Sequence, residues 1–181
     1  MKKKDLLFFF LLGATVGSLL DGIHTHSGTT FYPTPLIWKM AWWVPLLFGS
    51  AAAFIGFTHF HLHRFFKTPS VAKRPYRRIG SLAIFILVYF ISGYLPYSYP
   101  IRSLIMLALY GVTWIAWERS WQSIILAFGT AFVGCFVESK MSTLGLFGYT
   151  RSNFFGIPQW LPILYLHASA AVGQLCRQKE K

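Results

Sequence analysis

The stretch WQSIILAFGTAFVGCFV, Trp121–Val137, runs for 17 residues without a charge. At 1.5 Å per residue a helix of that length is about 25 Å long, close to the roughly 30 Å hydrocarbon core of a bilayer. The rest of the chain repeats the pattern. Apolar runs lie near residues 6–20, 36–60, 79–95, 103–117, 121–137 and 157–175. Six spans would occupy most of the 181 residues and leave only short loops. The predicted fold class is an all-α integral membrane protein. It is one domain over residues 1–181, a six-transmembrane-helix bundle.

Composition agrees. Hydrophobic residues make up 55% of the chain and charged residues only 12%, whereas a soluble domain carries about 25% charge. A soluble surface of this size cannot be covered with so little charge. Aromatic residues at 19% exclude a disordered chain, and two Cys exclude a disulfide scaffold.

The net charge of +12 follows the topology. Lys2–Lys4 precede the first span. Arg64, Lys67, Lys73, Arg74, Arg77 and Arg78 lie between the second and third, in a loop that also holds Pro69. Arg119 lies between the fourth and fifth, and Arg177, Lys179 and Lys181 follow the sixth. These are 13 of the 17 basic residues, all on one side of the membrane. By the positive-inside rule both termini are cytoplasmic. The basic residues are thereby accounted for, and nucleic acid is not an expected partner. Lys2–Lys4 before an apolar run also describes a secretory signal peptide. The first span is expected to be retained, with Gly13-x-x-x-Gly17 available for close helix packing.

Few residues offer chemistry. His24 and His26 fall on one side of the membrane and His59, His61 and His63 on the other, too far apart to share a metal. An interfacial role is the plainer reading of all five. His167, within the sixth span, is either a hydrogen-bonded packing residue or a ligand contact. Glu138 lies near the far edge of the hydrocarbon. It is an interfacial carboxylate near Lys140 or Lys39, a polar contact at the mouth of a cavity, or, on the thinnest grounds because no relay accompanies it, a proton-coupled transport residue. Cys135 and Cys176 are not expected to pair. No phosphate loop, dinucleotide fingerprint, zinc pattern or nucleophile elbow is present, so no catalytic residue, metal or cofactor is expected. Pro45 and Pro162 are read as lying inside spans, where proline removes a backbone donor and kinks a helix. Splayed helices could leave a lipid-sized cleft.

Two segments carry a resemblance. One is Ala41-Trp42-Trp43-Val44-Pro45 with Gly49-Ser50-Ala51-Ala52-Ala53. The other is Gly148-Tyr149-Thr150 through Phe154, Trp160-Leu161-Pro162, Ala171-Val172-Gly173 and Arg177-Gln178. Together with Trp117-Glu118-Arg119-Ser120, they resemble the insulin-induced gene (Insig) family in order and spacing. The resemblance implies a six-helix bundle with no catalysis. Eukaryotic members are sterol-responsive proteins of the endoplasmic reticulum that bind oxysterols and retain sterol-sensing-domain partners. The chain lacks their long polar N-terminal tail, so a compact prokaryotic homologue in a cell membrane is expected. The family's Pro-Asp-Phe is here Ser152-Asn153-Phe154. Asn153 therefore marks the family's partner-binding position without its charge. The family's polar pocket position falls at or beside Ser139.

The expected function is non-enzymatic binding of a neutral lipid, sterol-like or diacylglycerol-like, in a cavity within the bundle, as sensor or adaptor. The candidate lipid-binding residues are Trp43, Pro45, Phe128, Phe132, Cys135, Phe136, Glu138, Ser139 and His167. Most come from one helical face, where Phe128, Phe132, Cys135, Phe136 and Ser139 recur at three- and four-residue steps. No Lys or Arg lies centrally in a span, so a phosphate drawn inside would lack a counter-charge. The alternative is a small transporter or flippase-like protein; a membrane metalloenzyme using the His residues is a third reading. A homo-oligomer and an unnamed membrane-protein partner are both compatible with the sequence.

Overall fold

The structure is a computed structural model that describes residues 1–67, 74–153 and 155–177. Pro69, Lys73, Phe154, Gln178, Lys179 and Lys181 lie outside the described residues. Six helices form the bundle: α1 (Lys3–His26), α2 (Val44–Phe65), α3 (Pro75–Tyr94), α4 (Tyr99–Glu118), α5 (Trp121–Thr143) and α6 (Leu161–Arg177). The first five are long and apolar enough to cross a membrane. The sixth is the most enclosed, with Leu161, Leu164, Leu166, Ala171, Val172 and Cys176 all buried. It packs against α2, α3, α4 and α5, so the other helices close around it.

Proline sets several of the helix starts. Pro45, Pro75, Pro100 and Pro162 each fall in the first two residues of a helix. There the missing N–H costs no hydrogen bond and the fixed φ suits the first turn. The expected kinks at Pro45 and Pro162 are therefore absent, because both residues open helices rather than interrupt them. Residues 36–43, read as the start of the second span, instead form a turn bridged between Ile37 and Met40. Trp38 and Lys39 take left-handed φ of 51° and 63° there. Apolarity alone made this turn look helical.

α1 and α5 extend furthest beyond their expected ends. The first apolar run stops at Leu20, yet α1 continues to His26 and carries Asp21 and His24 into the bundle. Likewise α5 passes Val137 to Thr143 and includes Glu138 and Ser139. Within α1 a π-helical turn spans Gly13–Gly17. A Cβ on Gly13 would stand 2.2 Å from the Phe48 carbonyl oxygen, so only glycine permits this approach of α1 to α2.

A two-stranded antiparallel sheet caps the end of the bundle where α1 finishes. β1 (Thr30–Phe31) pairs with β2 (Gly148–Tyr149), matching Thr30 with Tyr149 and Phe31 with Gly148. It ties the α1–α2 connection to the α5–α6 connection. The opposite end, the base, carries Lys3 and Arg177. Near the cap end, Leu20, Val88, Tyr89, Met106, Ile157, Trp160, Leu161 and Leu164 form the main apolar core.

Candidate functional site

Beneath the cap lies a cavity lined by Asp21 and His24 of α1, Leu47 and Phe48 of α2, Tyr89 of α3, Glu138 of α5 and Leu161 and Leu164 of α6. Tyr32, Phe147 and Tyr149 close it from the cap side. It holds about 20 Å³, room for a water molecule or two. Asp21 and Glu138 each stand five residues before the end of their helices, roughly 7.5 Å inside them. Both are set among apolar and aromatic walls.

Phenols supply the hydrogen bonds to these acids. The Tyr32 hydroxyl donates to Asp21 Oδ2 at 2.8 Å. Tyr149 donates to Glu138 Oε2, and Tyr165 to Glu138 Oε1. Burial, and then the adjacent carboxylate, hold the Tyr32 and Tyr149 phenols well above their ordinary pKa. These hydroxyls keep their protons and act as donors. Beside them His24 Nε2 shares a hydrogen bond of 2.8 Å with Ser92 Oγ, and its ring lies 4.7 Å from Tyr89 and 5.2 Å from Trp160.

Of the nine candidate lipid-binding residues, Glu138 lines this cavity. Phe128, Phe132 and Phe136 are 61%, 75% and 56% exposed and face outward from the bundle. The inward face of α5 is the one bearing Ala127, Ala131, Gly134 and Glu138, and its small residues admit α6. Cys135, half-buried, packs against the main core. The Ser139 hydroxyl donates to the Phe155 carbonyl at 2.7 Å, holding the α5–α6 loop. Trp43 packs edge-on to Tyr32 with ring centroids 5.6 Å apart. Pro45 opens α2 close by. His167 lies between helices, its Nε2 3.0 Å from the Met106 carbonyl and its ring against Tyr110. That is the hydrogen-bonded packing arrangement. Asn153 is exposed at the cap end, and its Oδ1 accepts the Gln159 N–H at 3.2 Å.

Glu138 pairs with tyrosines rather than with a lysine; Lys140 instead lies over the Phe136 ring. Three of the five histidines depart from an interfacial placement, while His26 and His61 are exposed. His24, His59 and His63 are buried. His59 bridges Ser169 at 2.9 Å and His63 at 3.3 Å. Among the described residues no group of three or more His, Cys, Asp or Glu is placed to hold a metal.

At the base, Glu118 forms an ion pair with Arg177 and accepts a hydrogen bond from Gln174. Both charged side chains are buried. A void of about 10 Å³ beside them is lined by Ser81, Tyr110, Thr113, Trp114, Trp117, Glu118, Ala170 and Gln174.

The similarities of the chain to known proteins follow this architecture. No family profile matches it. The insulin-induced gene 1 protein of Danio rerio is 25% identical over 177 residues, spanning 95% of this chain and 70% of the relative. The crystal structure of MvINS, a mycobacterial Insig homologue from Mycobacterium vanbaalenii, superposes with a TM-score of 0.86 at 23% identity, covering 98% of this chain and 94% of that one. The chain is similar to Insig proteins along nearly its whole length. It is multi-pass and shares the fold of MvINS. A cross-linked MvINS trimer matches it with a TM-score of 0.84 over 100% of this chain and 98% of that chain. Glu118 of the Trp117–Ser120 turn is the residue that locks the base, and Asn153 stands on the exposed cap-end loop.

The sequence reading passed over Asp21, Tyr32, Tyr89 and Tyr149. A signal for Asp21 was present. Leu6–Leu20 is 15 residues, short of the roughly 20 that a span needs. Continuing the helix to His26 brings Asp21 and His24 onto one face at three-residue spacing.

Proposed function

We propose that this Insig-family protein is a non-enzymatic lipid-binding membrane protein, a sensor or adaptor. It receives the polar end of an uncharged, hydroxyl-bearing lipid in the cavity beneath the cap. The observation that carries the reading is the lining of that cavity. Apolar Leu47, Phe48, Leu161 and Leu164 meet acceptor groups of Asp21 and Glu138, with no Lys or Arg among the lining residues. An anionic headgroup there would face two carboxylates and no cation, and burying unpaired charge costs several kcal/mol or more. A hydroxyl needs only an acceptor.

The cavity admits a water-sized group, so the hydrocarbon of the lipid lies outside it, against the exposed apolar helix faces. A transporter would need a polar path to the base. Met106, Leu164, Leu166 and Val172 are buried between the two ends, and the polar side chains among them, His167, His59 and Ser169, are engaged in hydrogen bonds, which disfavours that reading. In the adaptor role, Asn153 lies on the loop offered to a membrane partner. Both termini are cytoplasmic in this reading, which rests on the distribution of the basic residues, and the six spans act as one unit over residues 1–181.

A lipid competition panel at two ionic strengths tests the proposal. Diacylglycerol or sterol should displace a bound reporter lipid better than anionic phospholipid, with little effect of salt. Preference for anionic phospholipid that weakens as salt rises would overturn it and assign lipid binding to the basic residues between α2 and α3. Reporter fusions at both ends test the topology; a C-terminus outside the cytoplasm would sink it.

A further inference from the structure

The cap-end cavity also has an unbalanced set of hydrogen-bonding groups. Asp21 and Glu138 lie within electrostatic reach of each other, and neither is in an ion pair among the described residues. Asp21 Oδ2 accepts from Tyr32, while Oδ1 accepts from no described residue. Tyr89 is 5% exposed and lines the cavity within electrostatic reach of both carboxylates. Its hydroxyl makes no hydrogen bond among the described residues. Two acids and an unengaged phenol therefore surround one small space that contains no cationic side chain. Buried carboxylates at membrane depth ordinarily find a positive partner, as Glu118 finds Arg177 at the base.

We infer that this cavity binds a primary ammonium group, carried by a single-chain lipid amine or by a free small amine. The inference rests on the lipid-binding reading only for access to the cavity. An ammonium –NH₃⁺ is compact, close to water in size, and presents three donors. The space of about 20 Å³ matches that size. Asp21 Oδ1, the remaining lone pairs of Glu138 and the Tyr89 oxygen supply the acceptors. A quaternary trimethylammonium has the same charge but no donor, and is too large for the space.

The full-length protein in detergent tests this by calorimetric titration with dodecylamine, its N-methyl, N,N-dimethyl and N,N,N-trimethyl forms, and dodecanol. Affinity should fall at each methylation, with dodecylamine at least tenfold tighter than both the trimethyl form and dodecanol. This series needs no variant, so a misfolded mutant cannot obscure it. Glu138→Gln and Asp21→Asn, each checked by thermal unfolding, should each reduce the preference for the amine at least tenfold, and Tyr89→Phe severalfold. Methylammonium that competes with dodecylamine for the site would identify a free amine as the source; amine binding only with the twelve-carbon chain would identify a lipid. Equal binding of dodecylamine and its trimethyl form, or of dodecylamine and dodecanol, would overturn the inference. So would a tenfold preference that survives in folded Glu138→Gln. Diacylglycerol titrated in parallel separates the two ideas. If it binds while the methylation series is flat, only the amine inference fails; if neither binds, the lipid reading fails with it.

Discussion

The protein buries acids at both ends of its bundle and treats them differently. At the base, Glu118 meets Arg177 and Gln174, and little space is left beside them. At the cap, Asp21 and Glu138 meet only phenols, around a cavity that is still open. An acid matched by a guanidinium is complete and has no need of a ligand. An acid held by neutral donors is fixed in place but has no opposite charge beside it. The base therefore works as a fastening between α4 and α6, while the cap end keeps acceptor groups around an unfilled space.

The largest expected effect breaks the fastening. Arg177→Met leaves Glu118 buried beside one amide, and removing one partner of a buried pair typically costs about 3–5 kcal/mol. Thermal or denaturant unfolding in detergent should show that loss, while Glu138→Gln, whose amide oxygen still accepts from a tyrosine, should cost less than half as much. Equal losses would erase the distinction between the two ends.

Next comes the packing beneath Glu138. A Cβ on Gly134 would stand 2.4 Å from the Tyr165 ring. Gly134→Ala should therefore destabilise by about 1–3 kcal/mol through overpacking and weaken lipid binding by displacing Tyr165 from Glu138. Unchanged binding with lowered stability would show that Tyr165 does not position the acid.

How much of this was legible from residue types varies along the chain. The bundle could be read because uncharged runs such as Trp121–Val137 have few other solutions. The end of α1 could not, because Asp21 and His24 look like loop residues when judged by polarity alone. They are helical because Tyr32 and Ser92 satisfy them, and those partners lie 11 and 68 residues away in sequence. The inward face of α5 was misjudged for a related reason. In water the large apolar face of a helix turns inward. In a bilayer Phe128, Phe132 and Phe136 can face lipid, and the small face of Ala127, Ala131 and Gly134 packs against protein. Pro45 and Pro162 were ambiguous, since a proline that opens a helix and one that kinks it differ only in where the helix begins.

A smaller effect sharpens the view of the cap-end acids. Tyr165→Phe removes one of two phenolic donors from Glu138 and should cost about 1–2 kcal/mol, again measured by unfolding. A loss as large as that of Arg177→Met would mean the phenols bear as much of the charge as the guanidinium does. The smallest effect is at the surface. Asn153→Asp should change stability by no more than about 0.5 kcal/mol, because a carboxylate oxygen can accept the Gln159 N–H as the amide oxygen does. A fall in melting temperature of many degrees would contradict the exposed placement of that loop.

The pairing of β1 with β2 also sets a timetable for biogenesis. Thr30 is synthesised early, but its partner Tyr149 emerges only after five helices have been made. Until then Asp21 has Tyr32 beside it, but Glu138 lacks the phenols that hold it and the lid over both acids is not yet in place. A nascent chain stalled before that point has nothing with which to retain a ligand. Any molecule that occupies the cavity therefore favours the finished chain alone, and by mass action it adds stability only once the last connection has closed. Ligand supply and completion of the fold are coupled through a sheet of two residues on each strand.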